Sequence, residues 1–112
     1  MISNKTFREM ALALPDVAEL PHFDKASFRV NKKIFATLNE AKNLGMVQLS
    51  PEEQYVYIKY DPDSFSPCTG AWGRNGSTWV QLKTVKKNVL KEAMAAAYNN
   101  LMKKKSQKKN QK

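Results

Sequence analysis

The spacing of apolar positions along the chain changes from one stretch to the next, and the changes divide it into elements. Phe7, Met10, Ala11 and Leu14 fall at i, i+3, i+4 and i+7, one face of a helix. Ser3 is placed to cap it, and Thr6 with Glu9 offers a second capping box one turn on. Pro15 ends it, because proline disfavours helical geometry in the residue before it. Residues 16–26, DVAELPHFDKA, contain Pro21 and read as a loop. Ser27–Val30 and Ile34–Leu38 are rich in β-formers and flank Asn31-Lys32-Lys33, which predicts a hairpin. Its register stays open. A two-residue turn at Asn31-Lys32 puts Phe28 opposite Phe35, whereas a three-residue loop puts Phe28, Val30, Ile34, Ala36 and Leu38 on one, cleaner apolar face. Asn39 to Gly45 is a polar connection, and Met46–Leu49 is a third strand.

Ser50-Pro51-Glu52-Glu53 starts a second helix: serine caps, proline suits the first turn, and Glu53 closes the box. It runs to about Tyr60 with Tyr55, Val56 and Ile58 as apolar positions, and Asp61-Pro62-Asp63 stops it. The stretch Phe65–Leu82 holds both tryptophans, three of the four glycines and the single cysteine. It reads as a lead-in loop, a strand from Ala71 to Arg74, a turn at Asn75-Gly76, and a strand from Ser77 to Leu82. Such a hairpin pairs Trp72 with Trp79 on one face with Arg74 and Gln81, and leaves Ala71, Val80 and Leu82 on the other. A long helix follows from about Val85 to Lys104, with Val89, Leu90, Ala93, Met94, Ala97 and Leu101 as its stripe. Strands joined by short turns and flanked by helices predict an α+β domain, an antiparallel sheet packed with helices.

Charge changes the picture at one end only. The net charge of +9 is concentrated in KKKSQKKNQK, residues 103–112, whose six lysines leave only +3 for residues 1–102. The chain is therefore expected to be one domain over 1–102 and a disordered lysine-rich tail over 103–112. The tail has no aromatic residue and no acid, so it is a generic polycation for DNA, RNA, anionic lipid or acidic protein. One cysteine excludes an internal disulfide and fits a reducing compartment. No secretory leader pattern and no apolar run near the ~18 residues of a membrane span are present, so a cytoplasmic protein without membrane insertion is expected.

PHFDKASFRVNKKIFATL, LSPEE and FSPCTGAWGRNGSTWVQL, in that order, resemble the MmcQ/YjbR family. The similarity spans about Thr6 to Leu101, and its most specific pieces are Lys25-Ala26-Ser27-Phe28-Arg29, Phe35-Ala36 and Ala71-Trp72-Gly73-Arg74. The resemblance implies an α-β3-α-β2-α domain similar to the secretion-chaperone fold. It also implies DNA binding through a double-wing arrangement of hairpins. The lysine tail lies beyond it.

The chemistry available to such a binder is basic and aromatic. Lys25, Arg29, Lys32 and Lys33 cluster on the first hairpin and Arg74 sits at the expected tip of the second, a pattern that tracks a phosphate backbone without reading sequence. Trp72 is a stacking candidate, with a structural cross-strand pair with Trp79 as the other reading. Catalytic signals are poor. His22 is the only histidine, which rules out a multi-histidine metal site, and no cofactor motif is present. His22 with Asp24, or Cys68 with His22, would need the fold to assemble them. A non-enzymatic DNA or polyanion binder leads. The alternative is a protein-interaction or chaperone-like module, with monomer against homodimer left open.

Overall fold

The computed structural model describes the backbone of residues 1–110 and the side chains of residues 1–103. The elements are α1 (Asn4–Leu12), β1 (Ala18–His22), β2 (Lys25–Val30), β3 (Lys33–Asn39), a 3-10 turn (Glu40–Lys42), β4 (Leu44–Gln48), α2 (Pro51–Tyr60), β5 (Phe65–Pro67), α3 (Gly70–Arg74), β6 (Ser77–Gln81) and α4 (Lys87–Asn110). The six strands form one antiparallel sheet in the order β1-β2-β3-β4-β6-β5. The expected α+β class holds, with two strands more than anticipated, β1 and β5 (the latter read as a lead-in loop), and a short helix, α3, where a strand was expected.

Helices α1, α2 and α4 cover one face of this sheet. Phe7 of α1 meets Phe28 with ring centroids 5.9 Å apart, Tyr98 of α4 meets Phe35 edge-on at 5.7 Å, and Tyr57 of α2 meets Phe65 at 5.3 Å. Phe7, Phe28, Phe35, Leu38, Val47, Phe65, Val80, Leu90 and Met94 are fully buried between the layers. Gly45 admits Phe7 here, since a Cβ at this position would lie 2.6 Å from the ring. Tyr57 donates from its hydroxyl to Glu92 at 2.9 Å, tying α2 to α4. Burial and this carboxylate raise its pKa well above the ordinary tyrosine value.

The caps anticipated at Ser3 and Ser50 form, whereas the box at Thr6 and Glu9 does not, because Thr6 lies inside α1. Ser3 accepts from the backbone N–H of Thr6, and Ser50 and Glu53 make a reciprocal box. The Glu53 carboxylate also accepts from Asn100 at 2.7 Å. Burial pushes its pKa up, but the hydrogen bonds from Ser50 and Asn100 outweigh this and hold it below the usual carboxylate range. On α2 the packing residues are Tyr57 and Ile58, while Tyr55 and Val56 face outward.

Two local expectations are corrected, and the open register of the first hairpin is decided. Residues 18–22 form an edge strand and not a loop, paired from Ala18↔Arg29 to His22↔Lys25. Pro21 is tolerated there because an edge strand need not donate every N–H. The β2–β3 turn is the two-residue one, with Asn31 and Lys32 both at positive φ and Val30 opposite Lys33. A bulge between Phe28 and Arg29, with Phe35 as the extra residue on β3, then brings Phe28 opposite Ala36, so the cleaner apolar pairing is recovered by a different route and Ile34 turns to the other face. Lastly, Ala71–Arg74 is helical, so no hairpin forms at Asn75-Gly76. Asn75 caps α3 and Gly76 follows with φ 107°, the glycine chemistry of a helix end. Strand β6 pairs with β4 and β5 instead.

α4 continues to Asn110, past the expected end at Lys104. Of the segment read as a disordered tail, residues 103–110 belong to the backbone of α4, and residues 111 and 112 lie outside the described residues.

Candidate nucleic-acid interface

The second face of the sheet carries no long helix. Strand alternation sends Leu44, Met46 and Gln48 of β4 and Ser77, Trp79 and Gln81 of β6 to it, while Gly45, Val47, Thr78 and Val80 point under the helices. The register aligns Leu20, Ser27, Thr37, Met46 and Trp79 across five neighbouring strands of this face. A cleft of about 260 Å³ opens there. Ile34, Thr37, Met46, Gln48, Ser77 and Trp79 of the sheet contribute to it. His22 and Lys25 reach it from the β1–β2 hairpin, and Cys68 and Trp72 from the β5–α3 side.

Short α3 is what brings Trp72 to this cleft. Its axis can approach the preceding strand only because Gly73 lacks a side chain: a Cβ there would lie 1.8 Å from the carbonyl oxygen of Cys68. Gly76 allows a similar approach to the Leu49 carbonyl. Gln54 of α2 then clamps the turn, donating to the carbonyls of Gly73 (2.9 Å) and Ser77 (3.0 Å). Trp72 is left 76% exposed, whereas Trp79 is half-buried.

The polar groups fall into two kinds. Some are already occupied within the protein. Ser27 donates to the Leu20 carbonyl (2.8 Å) and accepts from Arg29 Nε (2.9 Å). Gln48 accepts from Ser77 and donates to the Asn75 carbonyl. The Thr37 hydroxyl, by contrast, makes no hydrogen bond within the described residues and opens on the cleft. Lys25 lies 3.7 Å from Asp24. No carboxylate lines the cleft among the described residues.

Cys68 and His22 both line this cleft, although they lie far apart in the chain, and no hydrogen bond joins them among the described residues. Burial pushes the Cys68 thiol up to about 11, with nearby Lys25 pulling weakly the other way. It is therefore held as the thiol at neutral pH. The pairing of His22 with Asp24 is absent too: His22 packs edge-on against Phe23 at 4.8 Å, and Asp24 faces Lys25. No group of three or more His, Cys, Asp or Glu side chains suited to a metal occurs among the described residues.

The anticipated site residues are distributed over this face and one end of the sheet. Lys25 and Trp72 share the cleft. Arg29 is half-buried, oriented by Ser27. Lys32 and Lys33 are exposed at the β2–β3 turn, and exposed Arg74 ends α3 at the same end of the sheet, where β4 finishes and β6 begins. Two hairpin prongs do not exist, because Arg74 belongs to a helix. Met46, Gln48, Thr37 and Ser77 were not singled out beforehand. The alternation of Leu44, Met46 and Gln48 is the signal that places the first two on an open face.

The chain matches the family described as YjbR over residues 12–100. Among solved structures it is similar to a Deinococcus radiodurans protein with a DUF419 domain. The TM-score is 0.77 at 20% identity, covering 88% of this chain and 77% of that one. No curated protein matches it.

Proposed function

The chain belongs to the YjbR family, and from that premise we propose that it is a non-enzymatic binder of single-stranded DNA or RNA whose contact surface is the open face of the sheet. The observation that carries this reading is Trp72. A large indole left 76% exposed, beside a cleft edged by Lys25 and free of carboxylates among the described residues, is costly for a purely structural residue. It suits a strand of bases, which stack on aromatic rings for about 1–3 kcal/mol each. Lys25, Arg29, Lys32, Lys33 and Arg74 supply backbone neutralisation around it. The protonated state of Cys68 supports a binding rather than a catalytic role. A single buried free cysteine fits a reducing, cytoplasmic setting.

The test is tryptophan-fluorescence titration of the full chain with a single-stranded decamer and its duplex at two salt concentrations. The control is a variant whose six tail lysines are glutamine. We expect the single strand to bind tighter, and the variant to retain binding with a shallower salt slope by about 4. Binding that vanishes in the variant assigns all of it to the tail and removes the domain's role.

A second reading, a protein-interaction module that pairs as a homodimer, is favoured by one feature. Phe23 is 92% exposed at the β1–β2 turn, with exposed Leu20 on the same free edge strand. Light scattering of the eluting peak checks it, and a monomer at high concentration removes it.

A further inference from the structure

The geometry points to a pocket for one unstacked nucleobase in the cleft between Trp72 and the β1–β2 hairpin. This rests on the single-strand reading above and specifies what the face does with an individual nucleotide.

Size sets the first limit. At about 260 Å³ the cleft is smaller than the ~300–1,000 Å³ that encloses a drug-sized ligand, so it admits one ring system and not an extended one. Its walls set the second. Indoles come from two directions, Trp72 from α3 and Trp79 from the sheet, and Met46 lies opposite Trp79 in the register. These are polarizable surfaces that favour a flat, electron-rich guest. The third limit is polar. Thr37 contributes to the cleft a hydroxyl that makes no hydrogen bond within the described residues and is open to a guest, whereas Ser27, Gln48 and Ser77 are already paired within the protein. A guest that fills the cleft strips water from this hydroxyl, and a ring with donor or acceptor edges replaces the lost hydrogen bond. An aliphatic guest does not. Lys25, at the edge of the cleft, then meets the phosphate attached to the ring.

The assignment separates the guest from its competitors. A lipid tail fills apolar volume but leaves Thr37 unpaired. An acidic peptide side chain satisfies Lys25 but has no plane for Trp72. A duplex presents no unstacked base.

The experiment uses the full chain and reads the indole Nε1–H signals by NMR during titration with uridine 5′-monophosphate, with ribose 5-phosphate as the control and a single-stranded decamer in parallel. The monophosphate is expected to shift both indole signals saturably and ribose 5-phosphate to leave them in place. Thr37→Val should weaken the monophosphate about 5-fold at unchanged melting temperature, and Trp72→Ala by between about 5-fold and 100-fold. A decamer binding at least tenfold tighter than the monophosphate identifies a strand as the source of the base. Equal affinities identify a free nucleotide, and either result supports the pocket. If the decamer binds but the monophosphate leaves the indoles unshifted, or T37V changes nothing, the pocket is wrong and the open-face reading stands. If the decamer does not bind either, both are overturned.

Discussion

The two faces of the sheet are built from the same strands and do opposite work. In β4, Gly45 and Val47 are buried under the helices while Leu44, Met46 and Gln48 stay half-exposed. In β6, Thr78 and Val80 are buried, Trp79 is half-buried and Gln81 is exposed. The covered face is a continuous apolar layer in which the buried polar group Thr78 is satisfied by the Gly76 carbonyl. The open face keeps one indole in solvent, one hydroxyl at the cleft that makes no hydrogen bond within the described residues, and cations at its edges. Because strand side chains alternate, outside the bulge between β2 and β3 stability and recognition are placed on successive residues without competing for the same positions. A substitution on one face should move stability with little effect on binding, and a substitution on the other should do the reverse.

The sharpest break of that division comes from the covered face. Phe28 is fully buried between α1 and β3. Phe28→Ala should lower the unfolding free energy by about 3–5 kcal/mol, measured by urea denaturation, with no loss of ligand affinity in the molecules that remain folded. A cost near zero would mean that the helices do not seal this face. Gly73→Ala comes next, because it touches both sides. Its new Cβ has to displace the Cys68 carbonyl or α3 itself, an overpacking cost of about 1–3 kcal/mol. The same displacement moves Trp72, so affinity should fall together with stability. Gly73→Ala with normal affinity would show that the position of α3 does not matter to the site.

Trp72→Ala isolates the open face. Removing a side chain this exposed should change stability by no more than about 0.5 kcal/mol, while single-strand affinity falls by about 1–3 kcal/mol. Thermal melts beside fluorescence titrations separate the two. A large drop in melting temperature would return Trp72 to a structural role and erase the contrast between the faces.

Most of the covered face could be read from the sequence, and the open face much less. The period of Phe7, Met10 and Ala11, the Ser50 capping box and the stripe Val89, Leu90, Ala93 and Met94 are local signals, and local signals fix helices. The errors arose where one residue pattern serves two geometries. Asn75-Gly76 marks a tight hairpin, but glycine after asparagine also ends a helix, and only the approach of Gly73 to the Cys68 backbone distinguishes them. Pro21 argued against a strand, yet an edge position excuses it. The site suffered most, because its members come from β1, β2, β3, β4, β6 and α3. Lys25 and Trp72 were named for their chemistry. Thr37 could not be, since nothing local distinguishes a strand threonine that finds a partner from one that does not.

The smallest expected effect tests the border between the faces, at Cys68. This side chain lines the cleft and is still almost fully buried. Its thiol stays protonated in the folded chain up to about pH 11, whereas in the unfolded chain it ionises near the ordinary value of 9.0. Between those two values the unfolded state has released the proton and the folded state has not, so stability should decline as pH rises from about 9 to 11. Below pH 9 both states hold the proton and the group contributes no pH dependence. Urea midpoints at pH 8, 9, 10 and 11 for the parent and for Cys68→Ala check this, the variant being expected to lose the part of the decline that belongs to the thiol. A guest in the cleft adds a second reading. It desolvates the thiol further, so alkylation by iodoacetamide at pH 9 should slow when the single-stranded decamer is bound. Unchanged alkylation with the decamer bound would place the ligand elsewhere on the open face, away from the boundary that Cys68 marks.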